Sequence, residues 1–126
     1  MNSGPCLSEA RFIGLSEVSV EQIERAQAIH PVTTVQSEFS LCTRDVQAEV
    51  LPYCGQHGIG VLPYSPLGRG FLLGRFTSFD DLPQNDQRRR LPRFQQDDLR
   101  ASLAIAARVR EVTDRIGATP AQVALA

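Results

Sequence analysis

The sequence contains no lysine, and all 13 of its basic residues are arginine. This absence excludes mechanisms in which a lysine of this chain acts as general acid, general base or Schiff-base former. Apolar runs long enough to cross a membrane are also missing. Residues 1–10 have neither the charged start nor the apolar centre of a signal peptide. The sequence therefore predicts a cytoplasmic protein that does not act at a membrane.

Excess charge and paired cysteines are scarce as well. The net charge is −1 without a basic excess, so nucleic acid is not an expected partner. Cys6, Cys42 and Cys54 show no Cys-x-x-Cys spacing, and their odd number favours reduced thiols over a disulfide framework or a metal site. His30 and His57 each follow a predicted helix, where a histidine interacts favourably with the helix dipole. Neither is therefore interpreted as a metal ligand.

Short apolar segments alternate with helical patterns along the chain. With 126 residues, 42% of them apolar, the chain is long enough for one domain and too short for two. The alternation predicts parallel strands joined by right-handed crossovers. Strands are expected over residues 11–16, 32–36 and 59–64, and helices are expected to start at or just after Ser19, Thr43, Asp97 and Thr119. Pro52 is expected to kink the second helix or to mark a restart.

Two stretches between these elements carry further expectations. The first helix is expected to bury one apolar face, formed by Val20, Ile23, Ala26 and Ile29. A long connection, residues 71–96, follows the third strand, and a connection of that length is typical of a functional loop or lid. Its Arg88–Arg90 run is interpreted as a solvated surface.

All three predicted strands end in polar residues: Ser16 and Glu17, Gln36 and Ser37, Tyr64 and Ser65. In an α/β fold the carboxyl ends of the strands form the ligand-binding edge. Three strands cannot close a barrel, however, and an open piece leaves sheet edges exposed. Such a piece is expected to need a missing half or to associate with itself.

The stretch from Gly58 to Gly74, GIGVLPYSPLGRGFLLG, combines a buried strand with a loop of glycines and arginines. Glycine lets backbone N–H groups approach a phosphate closely, and arginine provides a planar charged fork. The pattern indicates a phosphate-bearing ligand; ordinary turn chemistry is the alternative.

From Arg11 to Ala126 the sequence resembles the aldo-keto reductases, in the branch that has IGLSE, VQSEFSL, YSPLGRGFLLGRF and TPAQVALA in this order. The resemblance implies an α/β fold, a partial TIM (β/α)8 barrel with about strands five to seven and their helices. It implies reduction of aldehydes and ketones to alcohols with NADPH, and a small carbonyl substrate for the full-length parent. Residues 1–10 fit nothing in the family and are expected to be a disordered start.

The resemblance also implies cofactor contacts. Ser16 and Gln36 fall where the family holds the nicotinamide carboxamide, and Tyr64 falls where an aromatic ring stacks on the nicotinamide. The loop over the pyrophosphate corresponds to Ser65, Leu67, Gly68, Arg69 and Gly70. Glu17 stands where many members have asparagine.

No catalytic residue is assigned. The family's tetrad of Asp, Tyr, Lys and His comes from the first half of the barrel, and both tyrosines of this chain lie in other contexts. The chain alone is therefore expected to be a truncated, inactive piece of an oxidoreductase. One alternative is a non-catalytic half-barrel that binds a nucleotide or serves as a regulatory or interaction module. Another is an unrelated doubly wound domain, which the missing Gly-x-Gly-x-x-Gly after the first strand disfavours.

Overall fold

The strands and helices follow the predicted α/β order. The computed structural model describes residues 10–126, apart from the side chains of Arg93, Gln96 and Asp97, so Cys6 and nearly all of the expected disordered start lie outside the described residues. The strands are β1 (Ile13–Ser16), β2 (Val32–Glu38) and β3 (Gly60–Tyr64), and the helices are α1 (Val20–Gln27), α2 (Val50–His57), α3 (Gln96–Ile116) and α4 (Pro120–Leu125). The sheet has the order β1-β2-β3, and β1 pairs with β2 in parallel.

The described chain forms two compact units. The first unit comprises residues 10–37 and 46–62, which include α1, α2 and most of the sheet. The second unit comprises residues 38–45 and 63–126, which include α3, α4 and a series of short 3-10 turns. No helix within residues 10–126 has both the length and the apolar character needed to span a membrane.

Helix α1 begins where the sequence predicts it. The Ser19 hydroxyl accepts a hydrogen bond from the backbone N–H of Gln22 at 3.3 Å, and the Gln22 side chain accepts one from the backbone N–H of Ser19 at 2.9 Å. This capping box satisfies two N–H groups that the first turn leaves without helical partners. The helix then places Ile23 in the core of the first unit, together with Val32, Val35, Val50, Cys54 and Ile59.

The expected start of the second helix at Thr43 is wrong. A 3-10 turn covers Asp45–Gln47, and α2 begins only at Val50. Thr43 instead forms an isolated bridge with Ser40, in which each backbone N–H donates to the other residue's carbonyl. The reason is Pro52, which inside a helix costs about 3 kcal/mol but is tolerated in the first turn, where its missing N–H has no partner to lose.

The connection at residues 71–96 builds the core of the second unit instead of projecting as a loop. Phe94 is fully buried, and its ring meets those of Phe71 and Phe76 edge-on, with centroids 5.7 and 6.5 Å apart. Leu82 and Leu99 are buried in the same cluster. The sequence pattern missed this packing because 3-10 turns of three to six residues are too short to produce a hydrophobic period.

Ile23 and Ile29 provide a matched test of the first core. Helix α1 ends at Gln27, so Ile29 lies beyond it and is 90% exposed, against the expectation that it faces the core, whereas Ile23 is 0% exposed. We expect Ile23→Ala to lower the free energy of unfolding by about 2–5 kcal/mol, and Ile29→Ala to change it by less than about 0.5 kcal/mol. Urea unfolding followed by circular dichroism measures both. Equal effects of the two substitutions would contradict the assigned core.

Candidate functional site

Ser16 and Gln36 lie side by side in the first unit, at the ends of neighbouring strands. They are register partners in β1 and β2, and both residues are exposed. The backbone N–H of Glu17 donates to the carbonyl of Gln36 at 2.9 Å, so the pairing continues one residue past β1. A hydroxyl and a carboxamide can both donate and accept hydrogen bonds, which suits an amide ligand. The structure thus brings these two predicted residues together on one exposed edge.

The loop that follows β3 is a succession of tight turns in the second unit. The N–H of Gly68 donates to the carbonyl of Ser65 at 2.9 Å, and the N–H of Gly70 donates to the carbonyl of Leu67 at 3.1 Å. Gly68, Arg69 and Gly70 have φ values of 58°, 58° and 87°, three left-handed residues in succession. Backbone turns of this kind form concave surfaces that bind anions. The structure therefore places five predicted residues in one turn: Ser65, Leu67, Gly68, Arg69 and Gly70.

Arg88 contacts this loop, so its interpretation as part of a solvated surface is wrong. Its Nη1 donates to the carbonyl oxygen of Arg69 at 3.1 Å, and its guanidinium lies 4.4 Å from the centre of the Phe76 ring. Its Nε and Nη2 donate to the carboxylate of Asp86 at 2.9–3.1 and 2.5 Å. The Arg88 side chain is only 28% exposed as a result. A signal existed in the sequence, because an aspartate two residues before an arginine can cap a turn and pair with that arginine.

The interpretation of the arginine run as a solvated surface is also wrong for Arg89. Its Nη1 donates to the carbonyls of Leu82 at 2.6 Å and Phe79 at 3.3 Å, and its guanidinium lies 4.1 Å from the centre of the Phe79 ring. Arg90 is exposed, as predicted. Arg88 and Arg89 therefore donate hydrogen bonds to two different turns of the second unit.

A cavity of about 370 Å³ opens beside the loop in the second unit and is lined by Arg69, Gln87, Arg88, Arg90 and Leu91. Asp86 neutralises the charge of Arg88. Arg69 and Arg90 form no ion pair with a carboxylate in the part of the chain that the structure describes, so their charges give the cavity a positive potential. Guanidinium groups in such a cavity favour a phosphate or carboxylate ligand.

Metal and thiol chemistry have little basis among the described residues. Within residues 10–126, no group of three or more histidine, cysteine, aspartate or glutamate side chains could hold a metal ion. Cys42 and Cys54 are not in a disulfide, and burial raises the pKa of the Cys54 thiol. A raised pKa keeps that sulfur protonated and unreactive.

The pair formed by Asp86 and Arg88 gives a testable titration. Hydrogen bonds from the Arg88 side chain and backbone lower the pKa of Asp86 from 3.8 to about 2. The pair therefore stabilises the fold above the unfolded pKa of about 3.9, and its contribution is lost as the pH falls through about 2. We expect NMR of the Asp86 carboxyl carbon to give a midpoint near 2.

The variant Arg88→Ala is expected to raise this midpoint toward 3.8. The matched control is Asp81, whose pKa is lowered by hydrogen bonds from Thr77 and Ser78 and should not respond to that substitution. An Asp86 midpoint that does not move when Arg88 is replaced would contradict the pair.

Comparisons with known proteins agree on one family. The profile of the Aldo/keto reductase family matches residues 9–126. A "Probable aldo-keto reductase 1" from Glycine max is 47% identical over 118 residues, which cover 94% of this chain and 34% of that protein. A solved structure of a glycerol dehydrogenase from Gluconobacter oxydans superposes with a TM-score of 0.77 at 29% identity, covering 87% of this chain and 34% of the other.

The chain thus spans about a third of the length of both relatives. Its three parallel strands in an open sheet, with their helices, are consistent with part of a TIM barrel, which confirms the predicted fold class. The family match and the 47% identity also confirm the resemblance that the sequence motifs indicated. The chain therefore belongs to the aldo/keto reductase family.

Proposed function

We propose that this chain provides the nicotinamide and pyrophosphate side of an NADPH site, in a protein that reduces aldehydes or ketones to alcohols. Family membership supports the oxidoreductase class. The observation that carries the proposal is the loop after β3, with its three left-handed residues beside a cavity lined by arginine. When bound, NADPH supplies the hydride that reduces the carbonyl carbon.

The phosphate end of the cofactor suits the loop of the second unit. Gly70, which is partly exposed, has no side chain to keep a phosphate away from the backbone, and the buried Gly68 shapes the turn beneath it. Arg69, exposed at the tip of the turn, provides a fork that can bind two phosphate oxygens at once. Arg90 adds a second positive charge in the same cavity. Ser65 and Leu67 belong to this site as residues that accept the hydrogen bonds shaping the turn.

The nicotinamide end has different requirements, namely an amide partner and a flat apolar face. The Ser16 hydroxyl and the Gln36 carboxamide would hold the nicotinamide amide, because together they offer both donors and acceptors. Tyr64 would offer its ring for stacking. The carbonyl of Tyr64 accepts a hydrogen bond from the backbone N–H of Phe39 at 3.3 Å, which fixes the chain where β3 ends.

The proton required by the carbonyl oxygen would come from outside this chain. The family's tetrad includes a lysine, and none of the 126 residues is lysine. We therefore assign no catalytic residue here and propose that a complementary half of the barrel, or association of copies, completes the enzyme. The sheet of the first unit supports this need, because the apolar Leu62 in β3 is 53% exposed. The substrate would be a small carbonyl compound, reduced in the cytoplasm.

NADPH binding tests the proposed site directly. We expect a titration followed by nucleotide fluorescence to detect binding, and Arg69→Gly to weaken it about tenfold because a charged hydrogen-bond donor is lost. Glycine is the informative replacement, since it accepts a φ of 58° without the cost of a Cβ. The control Arg115→Ala removes the same charge in the last turn of α3. Equal weakening by both variants, or no binding by the unmodified chain, would contradict the proposal.

A second measurement concerns the missing proton donor. We expect the purified 126-residue chain to consume no NADPH in the presence of an aldehyde, because no lysine is available to activate a tyrosine. The loss of NADPH absorbance over time measures the rate. Turnover by the isolated chain would refute the view that another segment has to supply the proton.

A further inference from the structure

We infer that Arg88, fixed by Asp86, is the positioning residue of the Arg69–Gly70 turn in the loop after β3. The contacts that carry this inference lie within the second unit. The inference deepens the proposed function and rests on it only for the identity of the ligand. Arg88 would act through the backbone of Arg69, by giving the loop its binding shape before the nucleotide arrives.

The turn needs external support because its backbone is strained. Arg69 has φ 58° and ψ 37°, and a residue with a Cβ loses about 1–2 kcal/mol in the left-handed region. Such conformations persist where the surrounding structure holds them in place, and they cluster at functional sites. Arg69 is exposed, so its own side chain is not anchored in a core. The support has to come from another residue.

Arg88 holds the peptide group that joins Arg69 to Gly70. The carbonyl of this group accepts the bond from Arg88 Nη1 at 3.1 Å, while its N–H, on Gly70, donates to the carbonyl of Leu67 at 3.1 Å. Because the peptide group is planar, fixing its carbonyl and its N–H on opposite sides fixes its orientation. The two hydrogen bonds together leave the turn little freedom to rotate.

The backbone conformation at position 70 calls for glycine. A Cβ built on Gly70 would lie 3.6 Å from Arg88 Nη1 and 3.8 Å from Phe76 Cε2, at a φ of 87° that side chains rarely adopt. Glycine accepts this left-handed backbone without strain, while both distances are ordinary van der Waals contacts. Gly70 is therefore explained by the backbone of the turn, and Arg88, nineteen residues beyond Arg69, adds a hydrogen bond to that backbone.

Asp86 and the Phe76 ring hold the Arg88 side chain in place. Asp86 accepts hydrogen bonds from the backbone N–H, the Nε and the Nη2 of Arg88, so the guanidinium plane is fixed by a two-pronged pair. The Phe76 ring lies beneath the guanidinium, and that ring packs against Phe94 in the buried core. Arg88 therefore links the Arg69 carbonyl to the aromatic core, beside the link that the chain itself makes through the buried Phe71. A loop ordered in advance loses less conformational freedom when it binds a ligand.

Hydrogen exchange of the backbone amides tests this role without any ligand. We expect Arg88→Ala to speed the exchange of the Gly70 amide about tenfold or more, because a charged hydrogen bond that holds the turn is removed. Arg88→Lys should fail to restore slow exchange, since an ammonium cannot serve Asp86 and the Arg69 carbonyl with the geometry of the fork. Restoration by lysine would mean that charge and bulk are enough, and would overturn the positioning role.

The matched control is Arg89→Ala. Arg89 also donates to backbone carbonyls, two of them, and contacts a ring, but these partners belong to the turn at Phe79–Leu82. We expect this variant to speed exchange at Phe79–Leu82 and to leave Gly70 unchanged. Equal acceleration at Gly70 by both variants would overturn the inference, because it would indicate a general loss of stability. If Arg88→Ala unfolds the second unit, Arg88→Lys provides the test instead. Fast exchange of the Gly70 amide in that variant supports the positioning role, and slow exchange overturns it.

An NADPH titration of the Arg88 variants separates this inference from the proposed function. Faster exchange at Gly70 together with weaker NADPH binding supports both. Faster exchange in a chain that binds no NADPH in any form supports the positioning role and refutes the proposed ligand. Unchanged exchange refutes the positioning role, even where NADPH binds to the unmodified chain.

Discussion

The guanidinium of Arg88 contacts three residues of the second unit that are separated in the sequence: Arg69, Phe76 and Asp86. It pairs with the carboxylate of Asp86, lies over the Phe76 ring, and donates to the carbonyl of Arg69 in the loop after β3. Phe76 in turn packs against the buried ring of Phe94. The Arg88 side chain therefore links the backbone of the loop to the aromatic core.

Non-glycine residues with positive φ lie beside the ends of two strands. Among residues 10–126, the non-glycine residues with positive φ are Glu17, Ser65 and Arg69. Glu17 follows β1 directly, Ser65 follows β3 directly, and Arg69 lies in the loop beyond Ser65. Strained residues tend to cluster at functional sites, and the carboxyl ends of strands are where α/β folds bind ligands. Glu17 occupies a left-handed conformation that asparagine adopts more readily than glutamate.

Features set by local chemistry could be predicted from the sequence. The capping boxes at Ser19 and Thr119 and the left-handed glycines that end α2 and α3, Gly58 and Gly117, are all present, because each depends on a few neighbouring residues. The start of α2 was predicted wrongly at Thr43, since the tolerance of a helix for Pro52 depends on where that helix begins. Arg88 and Arg89 were missed because their partners are carbonyl groups and rings up to nineteen residues away, which leave no periodic pattern. The predicted roles of Ser16, Gln36 and Tyr64 as cofactor contacts stay predictions.

The central claim is that the loop after β3 binds the phosphates of a dinucleotide. Its most direct test is to map the backbone amide resonances of the chain by NMR while NADPH is added. The account predicts that the largest shifts fall on Gly68, Arg69 and Gly70, with smaller shifts at Ser16 and Gln36. Shifts confined to other surfaces, such as the exposed surface around Ile29 beyond α1, or an unchanged spectrum at saturating NADPH, would contradict it.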